Sequence, residues 1–181
     1  MKKTYVLDTN VLIQAPYAVE CFEENTVVLP MTVLEELDNM KKEEGEKGAN
    51  VRKVIRILDA HREKGNLLEG VRMEWGGILR VEKNYRNVEL PPDLPEHKSD
   101  NRILKVCVGL SNDLKEQVIL VTKDILLRIK AQLLGIQAED FGTEQVAVHE
   151  EQYLGRREVF VPEELFKDFK KKGVPVECVL S

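Results

Sequence analysis

The chain has 181 residues, 43% of them hydrophobic and 33% charged, with a net charge of −5. That length supports one domain with a real core and at most a small appendage, and the negative balance argues against a protein that coats nucleic acid indiscriminately. No apolar run approaches the ~20 residues of a membrane span, and no long apolar segment follows Lys2 and Lys3, so neither a membrane anchor nor a secretory leader is expected. Cys21, Cys107 and Cys178 are odd in number, far apart and without C-x-x-C spacing, which predicts reduced thiols in a cytosolic protein. His61, His97 and His149 are isolated, so a histidine-rich metal site is not expected.

Short Val/Ile/Leu runs alternate with segments of helical period, the pattern of a parallel α/β sheet. "TYVL" at 4–7 predicts a first strand and "TVVLP" at 26–30 a second. Pro30 leads into a helix, "TVLEELDNMKK", with Val33, Leu37 and Met40 at helical spacing. A polar break, "EEGEKGAN" at 43–50, precedes a second helix running from an Asn50 N-cap to a Gly65 stop, with Val51, Val54, Ile55 and Leu58 on its apolar face. Basic residues crowd this region: 41–64 carries Lys41, Lys42, Lys47, Arg52, Lys53, Arg56, Arg62 and Lys64 against five acids.

"GGILRVEKN" at 76–84 predicts a strand, and the three-proline stretch at 84–98 a mobile surface loop. Ser99 is placed to cap a helix, "DNRILKVCVGL". "QVILVT" is the most strand-like run and predicts a central parallel strand. "KDILLRIKAQLLG" predicts a helix ending at Gly135, and "IQAEDF" a short strand. The tail from 144 to 181 offers a strand, "REVFVP", a helix, "PEELFKDFKKKG", and an apolar end, "VPVECVL".

Ligands of open parallel sheets bind outside the carboxyl ends of the strands. Asp8 ends the first strand and Asp124 follows "VILVT", although Asp is also a favoured helix N-cap. At about 100° per residue, Glu35 points away from the Val33/Leu37/Met40 stripe while Glu36 lies on its margin, where an ionised carboxylate is costly unless paired or metal-bound. Asp100 precedes Ile103, Leu104 and Cys107 at helical spacing, and so sits on an apolar stripe in a first turn, where the helix dipole alone also favours an acid. Four acids converging on one pocket need a counter-ion, and with no His or Cys in these segments an all-oxygen site suits Mg²⁺ or Mn²⁺. Such a site activates water and stabilises an in-line displacement at phosphorus, which points to phosphodiester hydrolysis.

"VLDTNVLI", "TVLEELDNM", "KSDNRIL" and "VILVTKD", in this order across residues 4–141, resemble the motifs of the PIN-domain nucleases. The resemblance implies a PIN-like three-layer α/β sandwich, with a mainly parallel sheet and helices on both faces. It also implies a metal-dependent ribonuclease directed at single-stranded RNA. Carried over by position, it marks Asp8, Glu36, Asp100 and Asp124 as the catalytic, metal-binding acids. Asn10 and Thr122 match polar positions that support them.

Residues 1–143 would form that domain. The long "KKEEGEKGANVRKVIRIL" segment and the tail look like the PIN module that precedes a PhoH-type ATPase, with 144–181 as its connector. No G-x-x-x-x-G-K-[ST] stretch occurs in these residues, so the ATPase is a partner rather than a property of this sequence. The phosphates of RNA would lie on the basic segment, on Arg52, Lys53 and Arg56, and on Lys98, Arg102 or Lys123. Trp75, Tyr85 and Tyr17 are scattered and predict no stacking platform. The competing reading is a catalytically weak PIN-like RNA-binding or assembly module of a larger RNA-processing protein. A phosphoacceptor receiver domain fits poorly, because Asp8 is followed by Thr9 and Asn10 rather than by a second acid. Homo-oligomerisation is common in the family and is a further expectation.

Overall fold

A computed structural model describes residues 2–142. The tail strand, helix and apolar end, together with Cys178 and His149, lie outside the described residues. The described part is built on six strands: β1 (Lys3–Leu7), β2 (Thr26–Pro30), β3 (Val71–Arg72), β4 (Ile78–Glu82), β5 (Gln117–Val121) and β6 (Gln137–Glu139). Around them lie α1 (Thr9–Gln14), α2 (Met31–Met40), α3 (Gly45–Arg62), α4 (Ser99–Asp113) and α5 (Ile125–Leu133), with a single 3₁₀ turn at Ala18–Glu20. The sheet order is β3-β4-β2-β1-β5-β6, and every pairing is parallel except β3 with β4.

β1, β2 and β5 are apolar almost throughout because they are covered from both sides; Val6, Leu7, Val28, Leu29, Ile119, Leu120 and Val121 are fully buried. α1, α2 and α3 pack on one another, while α4 lies against β5 and also touches α2. The chain runs one way along the sheet from β1 to β2 and the opposite way from β5 to β6. The two directions part between β1 and β5, so a crevice opens above the carboxyl ends of those neighbouring strands.

Several local expectations are corrected. α3 begins at Gly45, so Asn50 is not its N-cap; the Asn50 carboxamide instead donates to the Ile13 carbonyl at 3.0 Å, satisfying the end of α1. The two glycines that read as a break answer to different demands: a Cβ on Gly48 would stand 1.7 Å from the Glu43 carbonyl oxygen, while Gly45 sits in open space at φ +83°. Ser99 lies inside α4, whose N-cap residue, Lys98, makes no side-chain cap, and its hydroxyl serves another purpose. The three-proline loop is not loosely attached. Its own Val88 and Leu94 are buried, the buried Asn101 side chain donates to the Pro95 carbonyl at 2.8 Å, and Arg102 donates to the Glu96 and His97 carbonyls at 3.0 and 2.9 Å.

Candidate active site

The crevice is built by register. Leu7 pairs with Val121, and the Asp8 amide donates to the Val121 carbonyl at 3.0 Å, so Asp8 and Thr122 leave their strands side by side. The Thr122 hydroxyl then donates to Asp8 Oδ2 at 2.7 Å and accepts from the Asp124 amide at 3.1 Å. Asp8 is also the N-cap of α1, its Oδ1 accepting from the Thr9 amide at 2.7 Å. Asp8 is thus both a cap and a buried acid, only 7% exposed.

Burial raises the Asp8 pKa above the ordinary carboxylate value. The Thr122 and Thr9 hydrogen bonds oppose that rise, while the negative charges of Glu36 and Asp124 add to it. Among the described residues no cation pairs with Asp8 or Glu36. Among the described residues, the charge of Asp8 and Glu36 is therefore not offset by a paired cation.

Glu36 is half-buried and Glu35 exposed, as the helical phase requires. Two hydroxyls clamp the Glu36 carboxylate: Thr9 donates to Oε1, and Ser99 to Oε2 at 3.0 Å. Asp124 is exposed and caps α5, its Oδ1 accepting from the Leu126 and Leu127 amides at 2.9 and 3.3 Å. Asp100 takes the Asn101 amide on Oδ1 at 2.8 Å and the Lys130 ammonium on Oδ2 at 3.0 Å. Lys130 also donates to the Asn101 carboxamide oxygen at 3.1 Å. Asn10 is exposed and makes no hydrogen bond to the acids; the supporting polar groups are Thr9, Ser99 and Thr122.

Asp8, Glu36 and Asp124 therefore share one electrostatic environment, while Asp100 is turned to a cation on α5. Among the described residues no three acidic, histidine or cysteine side chains stand together closely enough to hold a metal ion as placed. The chemistry of the donors nonetheless fits a hard divalent cation, because carboxylate and hydroxyl oxygens face the crevice without an imidazole or thiolate. Of the basic residues expected to meet phosphates, Lys53, Arg56 and Lys98 are exposed. Arg52 is spent on the Lys41 and Glu43 carbonyls, and Lys123 on the Phe141 carbonyl and Asp140. Thr9, Ser99 and Asn101 lie within the quoted motifs without a site role there, and Lys130 lies outside them; Thr9 and Ser99 do stand beside two of the acids in sequence, a signal that small hydroxyl residues would orient a carboxylate.

The PIN domain family profile matches residues 5–142. The chain is 46% identical over 179 residues to Protein PhoH2 of Bacillus subtilis (strain 168), covering 96% of this chain and 40% of that protein. It is 39% identical over 149 residues to Protein PhoH2 of Mycolicibacterium smegmatis, covering 81% of this chain and 34% of that one. The chain thus spans well under half the length of these curated relatives. A solved domain of a functionally unknown protein from Methanocaldococcus jannaschii gives a TM-score of 0.45 at 23% identity over 78% of this chain and 92% of that one. No helix among the described residues is long and apolar enough to cross a membrane. With a family match over most of its length and relatives 46% and 39% identical over most of this chain, the chain belongs to the PIN-domain family.

Proposed function

We propose that this domain is a divalent-metal-dependent endoribonuclease acting on single-stranded RNA. The observation that carries the reading is the buried Asp8 carboxylate at the sheet's switch point, with Glu36 and Asp124 raising the local negative charge and, among the described residues, no paired cation to offset it. Mg²⁺ or Mn²⁺ would be held by Asp8, Asp124 and Asp100 with Glu36, and when bound would supply positive charge for hydrolysis at phosphorus. Thr122 and Thr9 fix the Asp8 oxygens, and Thr9 with Ser99 fixes Glu36, so neither carboxylate must be ordered when substrate arrives. Lys53, Arg56 and Lys98 draw in the phosphate backbone. In a longer protein, residues 144–181 would lead to a PhoH-type ATPase domain that feeds RNA to this site.

The test is cleavage of an end-labelled single-stranded RNA by the purified chain with Mn²⁺, with EDTA, and after Asp8→Asn. Loss of cleavage in the last two supports the reading, and cleavage that survives Asp8→Asn refutes it. The second reading, an RNA-binding or assembly module, draws on the separation of the acids as placed. It is favoured if the wild-type chain binds RNA yet never cuts it.

A further inference from the structure

A cavity of about 380 Å³ opens beside Glu36, between α2 and the start of α4. α2 contributes Thr32, Glu35, Glu36 and Asn39, which share one helical face, and His97 and Arg102 close the other side. Glu36 lines this cavity and also belongs to the acid site, so the two share that residue. The volume lies within the range of small-ligand pockets, roughly 300–1,000 Å³.

The lining decides what fits. Two carboxylates, Glu35 and Glu36, face one guanidinium, so a phosphate would meet net repulsion. Hydroxyl, carboxamide, carboxylate and guanidinium groups together offer both donors and acceptors to a neutral ligand with a polar edge. The guanidinium is also held in place: Arg102 Nε donates to the Glu96 carbonyl at 3.0 Å and one terminal nitrogen to the His97 carbonyl at 2.9 Å. The loop carrying those carbonyls is itself tied down, by Asn101 to the Pro95 carbonyl at 2.8 Å. A fixed guanidinium plane is a surface on which an unstacked base can lie, and single-stranded RNA is read by such stacking together with hydrogen bonds to base edges.

We propose that this cavity holds the nucleobase of a nucleotide next to the cleaved phosphodiester, with Arg102 as its stacking wall and Asn39 and Glu35 reading its edge. The assignment rests on the ribonuclease reading for its place in a reaction, but the binding itself needs neither metal nor cleavage. It is tested with the isotopically labelled 181-residue chain in EDTA, titrated with adenosine, guanosine, cytidine and uridine, and separately with inorganic phosphate, by NMR. At least one nucleoside shifts the Asn39 side-chain amide and the backbone signals of His97 and Arg102, and inorganic phosphate does not. Asn39→Ala, an exposed change that leaves the fold intact, weakens that nucleoside about fivefold, the loss of one neutral hydrogen bond. Arg102→Ala weakens it further. The proposal is overturned if no nucleoside shifts these signals at about 10 mM, a weak-fragment limit, if phosphate shifts them equally, or if Asn39→Ala changes nothing. Nucleoside binding without any RNA cleavage would defeat the ribonuclease reading and leave this one standing; cleavage without nucleoside binding would do the reverse.

Discussion

Replacing Lys130 by Met removes the one cation within hydrogen-bonding distance of a site carboxylate among the described residues, while keeping most of the side-chain volume. Two interactions go. The Lys130–Asp100 pair, at 3.0 Å with side chains 26% and 34% exposed, is screened by water and is worth about 0.5–1 kcal/mol. The Asn101 carboxamide oxygen, on a fully buried residue, loses the donor that stood 3.1 Å away, a cost of about 1 kcal/mol or slightly more. The sum, about 2 kcal/mol, lowers the Tm of a domain this size by roughly 4–8 °C in EDTA. Divalent binding moves in the opposite direction. Were the proposed site to hold Mn²⁺, a unit charge ~6 Å away in a water-like dielectric would repel it by about 1.4 kcal/mol, so the variant would bind it about tenfold more tightly. Differential scanning fluorimetry in EDTA reads the first effect and calorimetric titration with Mn²⁺ the second. Unchanged or weaker Mn²⁺ affinity alongside a lower Tm would refute the reasoning, because Lys130 would then be orienting Asp100 for the ion instead of competing with it.

Two further outcomes follow from the geometry. Asp8 has a folded pKa raised by burial, so below its unfolded value near 3.8 the group contributes nothing, and its ionisation costs stability as pH rises through the folded value. In EDTA, the Tm of Asp8→Asn relative to wild type should therefore climb between pH 4 and pH 8; thermal melts across that range showing a flat or falling difference would contradict the burial argument. Gly109→Ala sets about 1 kcal/mol of helix propensity against a Cβ placed 2.3 Å from two Tyr85 ring atoms. Overpacking of that kind costs typically 1–3 kcal/mol, so net destabilisation is expected, with a Tm lowered by a few degrees and restored when Tyr85→Leu is added.

What the sequence made legible was whatever local periodicity controls. The alternation of strand and helix, the placement of Asp8 and Asp124 at strand ends, and the separation of exposed Glu35 from half-buried Glu36 all follow from spacing of apolar residues. The features that escaped are contacts between distant segments. Thr9 reaches Glu36 across 27 positions, Ser99 reaches it across 63, and Lys130 reaches Asp100 across 30. A hydroxyl beside an acid in sequence looks the same whether it caps its own helix or clamps a carboxylate on another. Gly48, near the head of α3, is hidden for a related reason: it answers to the Glu43 carbonyl pressed against it, a steric demand that composition reads as a break. β3 is two residues long and antiparallel, too short to carry any alternation.

The sixteen residues joining β4 to α4 have a consequence for how the site opens. Loops that long without regular structure are uncommon in compact domains. This one carries Pro91, Pro92 and Pro95, which restrict the unfolded chain and so reduce the entropy lost on ordering it. The side-chain hydrogen bonds that α4 makes to it, from Asn101, Arg102 and Lys105 to Pro95, Glu96 and His97, come from the first two turns of that helix. Fluctuations that detach the loop would therefore release the start of α4, with Ser99 and Asp100, as one cooperative unit. Amide exchange at the start of α4 would register such a local opening below the free energy of global unfolding.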